Sequence, residues 1–240
     1  MQKLPVKISP CPIIEANIEI RFIPNFPADA VIGIIYNLLS GKYKCSLIQR
    51  PIMQLPAEIR ANDPQLKYQP THTIQSPQFL VHVGPHVAVI QIPNLYYPGW
   101  NKFRAIINDV VSLLGGINLF KGIDLIGLKY LNFFKFDIFD QINLCIEGLS
   151  QKGKSTVFRT ELENNKFTNV LQISNGVHVK NSQFDDDGSL IDITTVVLAC
   201  HGLTLESIMA HIDEARQGGK ELFFSLLKQE LLNTLSPEYE

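Results

Sequence analysis

Apolar and polar residues alternate strictly over Ile14-Glu15-Ala16-Asn17-Ile18-Glu19-Ile20-Arg21-Phe22. A period of two puts Ile14, Ala16, Ile18, Ile20 and Phe22 on one face of a strand and Glu15, Asn17, Glu19 and Arg21 on the other, so a half-buried sheet begins near the amino terminus. The period then changes. Behind Pro24 and Pro27, residues Val31, Ile34, Ile35, Leu38 and Leu39 recur at steps of three and four, which predicts an amphipathic helix ending at Ser40-Gly41. Residues 42–78 are punctuated by Pro51, Pro56, Pro64, Pro70 and Pro77, and predict irregular chain with short strands around Ile48 and over 56–60.

Segments 79–83 and 87–92 flank Gly84-Pro85 as a hairpin or a broken strand. Tyr97-Pro98-Gly99 opens a second helix with Trp100, Phe103, Ile107, Val110, Val111 and Leu114 on one stripe, closed by Gly115-Gly116. The run 125–136 is apolar on both faces, as suits a strand covered on both sides or one that meets a partner. Strand-like runs come next at 142–149, 155–163, 167–174, 177–180 and 189–200. Between them stand Asn164-Asn165, Asn175-Gly176 and Asp187-Gly188, residue pairs that suit tight hairpin turns, and the pattern predicts an antiparallel meander. Thr204 then caps a helix carrying Leu205, Ile208, Met209 and Ile212. Gly218-Gly219 is expected to interrupt it before a stretch with Leu222, Phe223, Leu226, Leu227, Leu231, Leu232 and Leu235.

The expected class is α+β, with two packed subdomains of antiparallel sheet and helices. Residues 1–137 form the strand-helix-strands-helix-strand unit, and 138–240 the meander followed by a long carboxy-terminal helix. A chain of 240 residues with 45% hydrophobic and 18% charged residues can bury a substantial core. A net charge of −2 argues against a general nucleic-acid or anionic-membrane surface, which needs a clear excess of Lys and Arg on one face. Cys11, Cys45, Cys145 and Cys200 lie far apart with no C-x-x-C pair, no leader pattern opens the chain, and no run of apolar residues is long enough to span a bilayer. These features lead to the expectation of a cytoplasmic protein with reduced thiols.

Candidate chemistry is thin. His82 and His86 have the four-residue step of a helical metal site, but Gly84-Pro85 lies between them. Cys200 and His201 are adjacent, so on a strand they point to opposite faces. Asp185-Asp186-Asp187-Gly188 would place Gln183 and Thr194 where a calcium loop requires acids. The segment from Gly148 to Ser155 formally fits G-x-x-x-x-G-K-[ST], yet the β-branched run 156–163 behind it reads as a strand where the motif needs a helix. No catalytic residue, metal site or cofactor is therefore expected. Two surfaces remain. Glu15, Glu19 and Arg21, with Lys129 nearby, form a candidate wall of a small-ligand pocket. Tyr97, Trp100, Phe223, Leu227 and Leu231 supply aromatic and aliphatic area suited to a homo-oligomer or a protein partner.

The block Pro12-Ile13-Ile14-Glu15-Ala16-Asn17-Ile18-Glu19-Ile20-Arg21-Phe22 resembles the opening signature of a sporadically distributed bacterial family of about this length. Tyr97-Pro98-Gly99-Trp100 with Phe103, Ile126-Gly127-Leu128-Lys129-Tyr130-Leu131-Asn132, and the ending with Phe223 and Leu226-Leu227 are similar to further blocks of that family. Where its pattern carries Arg, this chain has Lys129, a point charge in place of a carboxylate-matching fork. The family has no established activity. Its patchy occurrence implies an accessory gene that moves between genomes, and hence a non-catalytic interaction or regulatory protein of a mobile bacterial system. A small-ligand-binding module that uses the polar face of the first strand is the alternative, with a nucleotide-dependent enzyme as the third reading.

Overall fold

The computed structural model describes residues 3–64, 66–93, 97–144, 155–180, 185–198 and 204–239. The alternating block becomes strand β1 (Ile13–Pro24), with Ala16, Ile18, Ile20 and Phe22 buried and the intervening polar residues half-buried. On one side β1 pairs with β5 (Val87–Gln91), and β4 (Leu80–Gly84), β3 (His72–Gln75) and β2 (Ser46–Gln49) continue outward from it. On its other side lies β6 (Phe120–Phe134), with Ile18 opposite Leu128 and Ile20 opposite Ile126. Beyond β6 come β9 (Asp185–Leu198), β8 (Thr168–Lys180) and β7 (Val157–Glu163). The result is one antiparallel sheet of nine strands that runs through both halves of the chain. With its helices it is an α+β protein.

Helices α1 (Val31–Ser40), α3 (Trp100–Gly116) and α4 (Leu205–Leu226) share a buried cluster with Ile18, Ile20 and Phe22, so they cover the apolar face of β1. The α3 stripe of Phe103, Ile107, Val110, Val111 and Leu114 is fully buried, as its spacing predicts. A second cluster joins Phe134, Ile191 and Ile193 to Phe223, Leu226 and the short α5 (Gln229–Thr234). Element order recurs between halves: β1, α1, then strands that return beside β1, then α3; and β6, then β7 to β9 returning beside β6, then α4.

Four local expectations are corrected. Residues 56–60 are not a strand; Pro56 stands immediately before α2 (Ala57–Asn62), a position where its missing N–H costs nothing. Gly218-Gly219 does not interrupt α4, which continues to Leu226. A Cβ on Gly218 would stand 2.1 Å from the Phe167 ring and one on Gly219 2.9 Å from Thr195 Oγ1, so the pair lets the helix press against β8 and β9. The break falls instead at Leu227 and Lys228, where Asn143 N donates to Leu226 O (2.7 Å) and Lys228 N to Gln141 O (2.9 Å). Asn175-Gly176 is a bulge inside β8 and not a turn between strands. Asp187-Gly188 lies within β9, opposite Val177 and His178, because Gly188 passes under the Phe134 carbonyl and the Phe133 ring. Residues 181–184, most of the strand expected at 142–149, Cys145, Cys200, His201 and the stretch from Gly148 to Lys154 lie outside the described residues. The β-branched run behind Ser155 does form a strand, β7, as expected.

Candidate functional site

The residues expected to wall a pocket do meet on one face of the sheet. Lys129 stands opposite Asn17, with its Nζ 3.1 Å from Asp192 and 3.9 Å from Glu15. Asn17 Nδ2 donates to Glu15 (2.7 Å), Arg21 Nε donates to Glu19, and the Arg21 guanidinium lies 4.9 Å from the Tyr68 ring. Tyr68 in turn donates to Asp124 (2.8 Å). Both cations thus already face carboxylates, so the network ties β1, β6 and β9 together, offers no free cation to an anionic ligand, and leaves the named carboxylates in excess of the cations. Half-exposed pairs of this kind contribute about 0–1 kcal/mol each.

His82 belongs to the same face, with its ring nitrogens within hydrogen-bond distance of Thr73 Oγ1 (2.9 Å) and Gln91 Oε1 (2.8 Å). Burial holds its pKa below the ordinary 6.5. The unfolded chain then takes up the proton first, so this stability is fully present above 6.5 and is lost as pH falls through the folded-state value. His72 is lowered in the same sense, mainly by burial, whereas the exposed His178 is raised, chiefly by its hydrogen bond to Asp187. Thermal melts from neutral to mildly acidic pH should therefore lose less Tm in His82→Gln than in the wild type. Parallel losses would assign the acid sensitivity elsewhere.

On the opposite face, α3 and α4 part over β6 and β9 and leave a cavity of about 460 Å³. Its floor is Tyr130, Asn132 and Ile193; its walls are Tyr97 and Trp100 at the start of α3 and Arg216, Lys220 and Phe223 on α4; residues 5–9 of the amino-terminal segment close it above. That segment is held by main-chain bonds to the carboxy-terminal tail, Val6 N to Glu238 O and Ser9 N to Leu235 O, both 2.7 Å. Volumes from about 300 to 1,000 Å³ are typical of small-molecule sites.

The chemistry of the lining is one-sided. Among the described residues no Asp or Glu lines the cavity, while Lys7, Arg216 and Lys220 do. Lys7 is engaged by Glu238 (2.7 Å). Arg216 pairs with no carboxylate among the described residues, and its guanidinium lies 5.5 Å from the centre of the Trp100 ring. The Tyr97 and Tyr130 hydroxyls are 3.3 Å apart with rings edge to face. Burial raises both phenol pKa values, that of Tyr130 well above the usual range, so both keep their protons. One hydroxyl donates to the other, and the second proton remains available to an acceptor placed in the cavity. Desolvation likewise raises the pKa of the Cys11 thiol, which lines the same space.

The structure therefore brings Tyr97, Trp100 and Phe223 together as cavity walls. Leu227 and Leu231, each 4% exposed, sit in the second core cluster. Arg216 and Tyr130 are site residues that the sequence patterns do not single out. No local signal marks the first: Arg216 and Lys220 are half-buried beside the buried Ala215 and Gly219 of α4, an ordinary place for long cations at the edge of an apolar stripe. Among the described residues no group of three or more His, Cys, Asp or Glu gathers as a metal site, and no helix is long and apolar enough to cross a membrane. No protein-family model and no curated protein matches the chain.

Proposed function

We propose that this chain is a small-ligand-binding protein that holds an organic anion with an apolar, planar body in the cavity between α3, α4 and the sheet. The observation that carries the reading is Arg216, uncompensated by any carboxylate of the described residues and placed against Trp100 in a cavity without acidic lining among those residues. A guanidinium so placed offers two donors to a carboxylate, sulfonate or phosphate, while its plane and the aromatic walls accept a flat apolar body. The tyrosine pair adds a neutral donor at the floor. The reading of two subdomains joined through one sheet accompanies this proposal and is supported by the two separate buried clusters.

Titration with 8-anilinonaphthalene-1-sulfonate, an aromatic sulfonate that fluoresces in apolar sites, tests it. Saturable binding at one site is expected. Arg216→Met, which keeps the apolar stem but removes the charge, should weaken it by about tenfold to a hundredfold, the range of one charge-assisted hydrogen bond. Equal binding by wild type and Arg216→Met would remove the basis for an anion site.

A further inference from the structure

The two edges of the sheet differ. β2 is four residues long and runs at once into Arg50-Pro51, so it offers little ladder to another chain. β7 is seven residues long, Val157-Phe158-Arg159-Thr160-Glu161-Leu162-Glu163, with no proline, no lysine and no register shift against β8. It ends the strand order, and among the described residues nothing pairs with its outer edge. Two apolar side chains on it are exposed without an internal reason, Val157 at 64% and Leu162 at 42%.

We infer that the outer edge of β7 pairs with the same strand of a second copy, antiparallel about a two-fold axis through Thr160. Such pairing is independent of any ligand in the cavity, and it rests on the direction of the main-chain groups. Asn175 N donates to Thr156 O and Asn164 N to Phe167 O, in register with Phe158 opposite Ile173, Thr160 opposite Leu171 and Leu162 opposite Asn169. The even-numbered residues of β7 therefore bond inward to β8. Val157, Arg159, Glu161 and Glu163 direct their N–H and C=O groups outward.

Outward residues must pair with outward residues, which leaves few registers. An axis at Glu161 sets Glu161 against its own copy, and an axis at Arg159 sets Arg159 against its own copy; like charges directly opposite are unfavourable. The axis at Thr160 places Arg159 opposite Glu161 of the second copy twice over, and Val157 opposite Glu163. On the other face it sets Phe158 against the exposed Leu162, in the closer, non-hydrogen-bonded kind of pair. About eight main-chain hydrogen bonds close this ladder. Arg159 already bonds Glu161 along its own strand (2.6 Å), so the partners are at hand to exchange. An interface of one strand pair lies at the small end of specific interfaces, so dissociation in the micromolar range is expected.

Sedimentation equilibrium of the intact chain, from micromolar to near-millimolar concentration, should show a monomer–dimer equilibrium. Arg159→Glu and Glu161→Arg, each alone, oppose like charges and should weaken dimerisation at least tenfold. The double variant R159E/E161R restores opposite pairs and should recover it. An equimolar mixture of the two single variants should form a one-to-one heterodimer, since every 159–161 contact is then complementary, a result that misfolded variants cannot produce. A wild type that stays monomeric throughout, or a dimer indifferent to the single reversals, overturns the inference.

Discussion

Gly188→Ala is expected to be the most damaging single-methyl change in this chain. A Cβ there would lie 2.1 Å from the Phe134 carbonyl oxygen and 2.8 Å from Cζ of Phe133. The first obstacle is main chain, inside the paired run where Phe134 stands opposite Ser189, so it cannot turn aside as a side chain would. Relief requires β6 and β9 to separate, which also disturbs Ser189, whose hydroxyl donates to Phe136 O (2.8 Å) and accepts from Ile138 N (3.1 Å). A loss of at least about 3 kcal/mol is expected, a large part of the roughly 5–15 kcal/mol typical of a domain. Urea unfolding measures it, and a midpoint within error of the wild type would contradict the close approach. Gly33→Ala is the matched control. Gly33 sits exposed in α1 with nothing within 4 Å of an added Cβ, so alanine there should raise stability by up to about 1 kcal/mol.

Phe103→Ala should cost about 3–5 kcal/mol, the usual range for emptying a phenylalanine site in a core. Phe103 is 0% exposed, on the buried stripe of α3. Its ring meets Tyr97 and Trp100 edge to face, each with centroids 6.3 Å away, so it is the packing beneath two walls of the cavity. The variant should therefore lose fluorescent-sulfonate binding together with stability. Phe103→Leu refills most of the space and should recover stability more completely than binding, because an aliphatic side chain does not set the two aromatic planes. Full binding by Phe103→Ala would mean that Tyr97 and Trp100 hold their places without it.

β1 and α3 are legible in sequence because one period persists along each, over nine residues of alternation in the first and the whole apolar stripe in the second, and the buried side can be named residue by residue. The glycine pairs mislead for a common reason. Asp187-Gly188 and Gly218-Gly219 have turn or breaker composition, but their partners are Phe133 and Phe134 for one and Phe167 and Thr195 for the other, contacts across distant strands that no local window contains. The cavity is half legible. Tyr97, Trp100 and Phe223 stand out by their apolar surface, which in the sequence alone points to an outward-facing interface; the deciding group, Arg216, acquires meaning only when α4 lies across the start of α3. Glu15 and Lys129 are readable as neighbours, but the shorter ion pair of Lys129 is with Asp192, which no local window contains, since Asp192 is brought in by β9.

The place of β1 in the strand order also bears on synthesis. One edge of β1 is matched by β5 within the first 91 residues, whereas the other waits for Phe120 to Asn132, and β6 then waits for β9. On the ribosome each new central strand therefore emerges well before its second neighbour exists. A nascent chain halted after β6 presents a fifteen-residue strand, rich in Leu, Ile and Phe, with one ladder unfilled. Such pairings, made across long stretches of chain, place this fold among the slow ones. Its hazard in the cell lies in the interval between Phe134 and Leu198, when the middle of the finished sheet is still an edge.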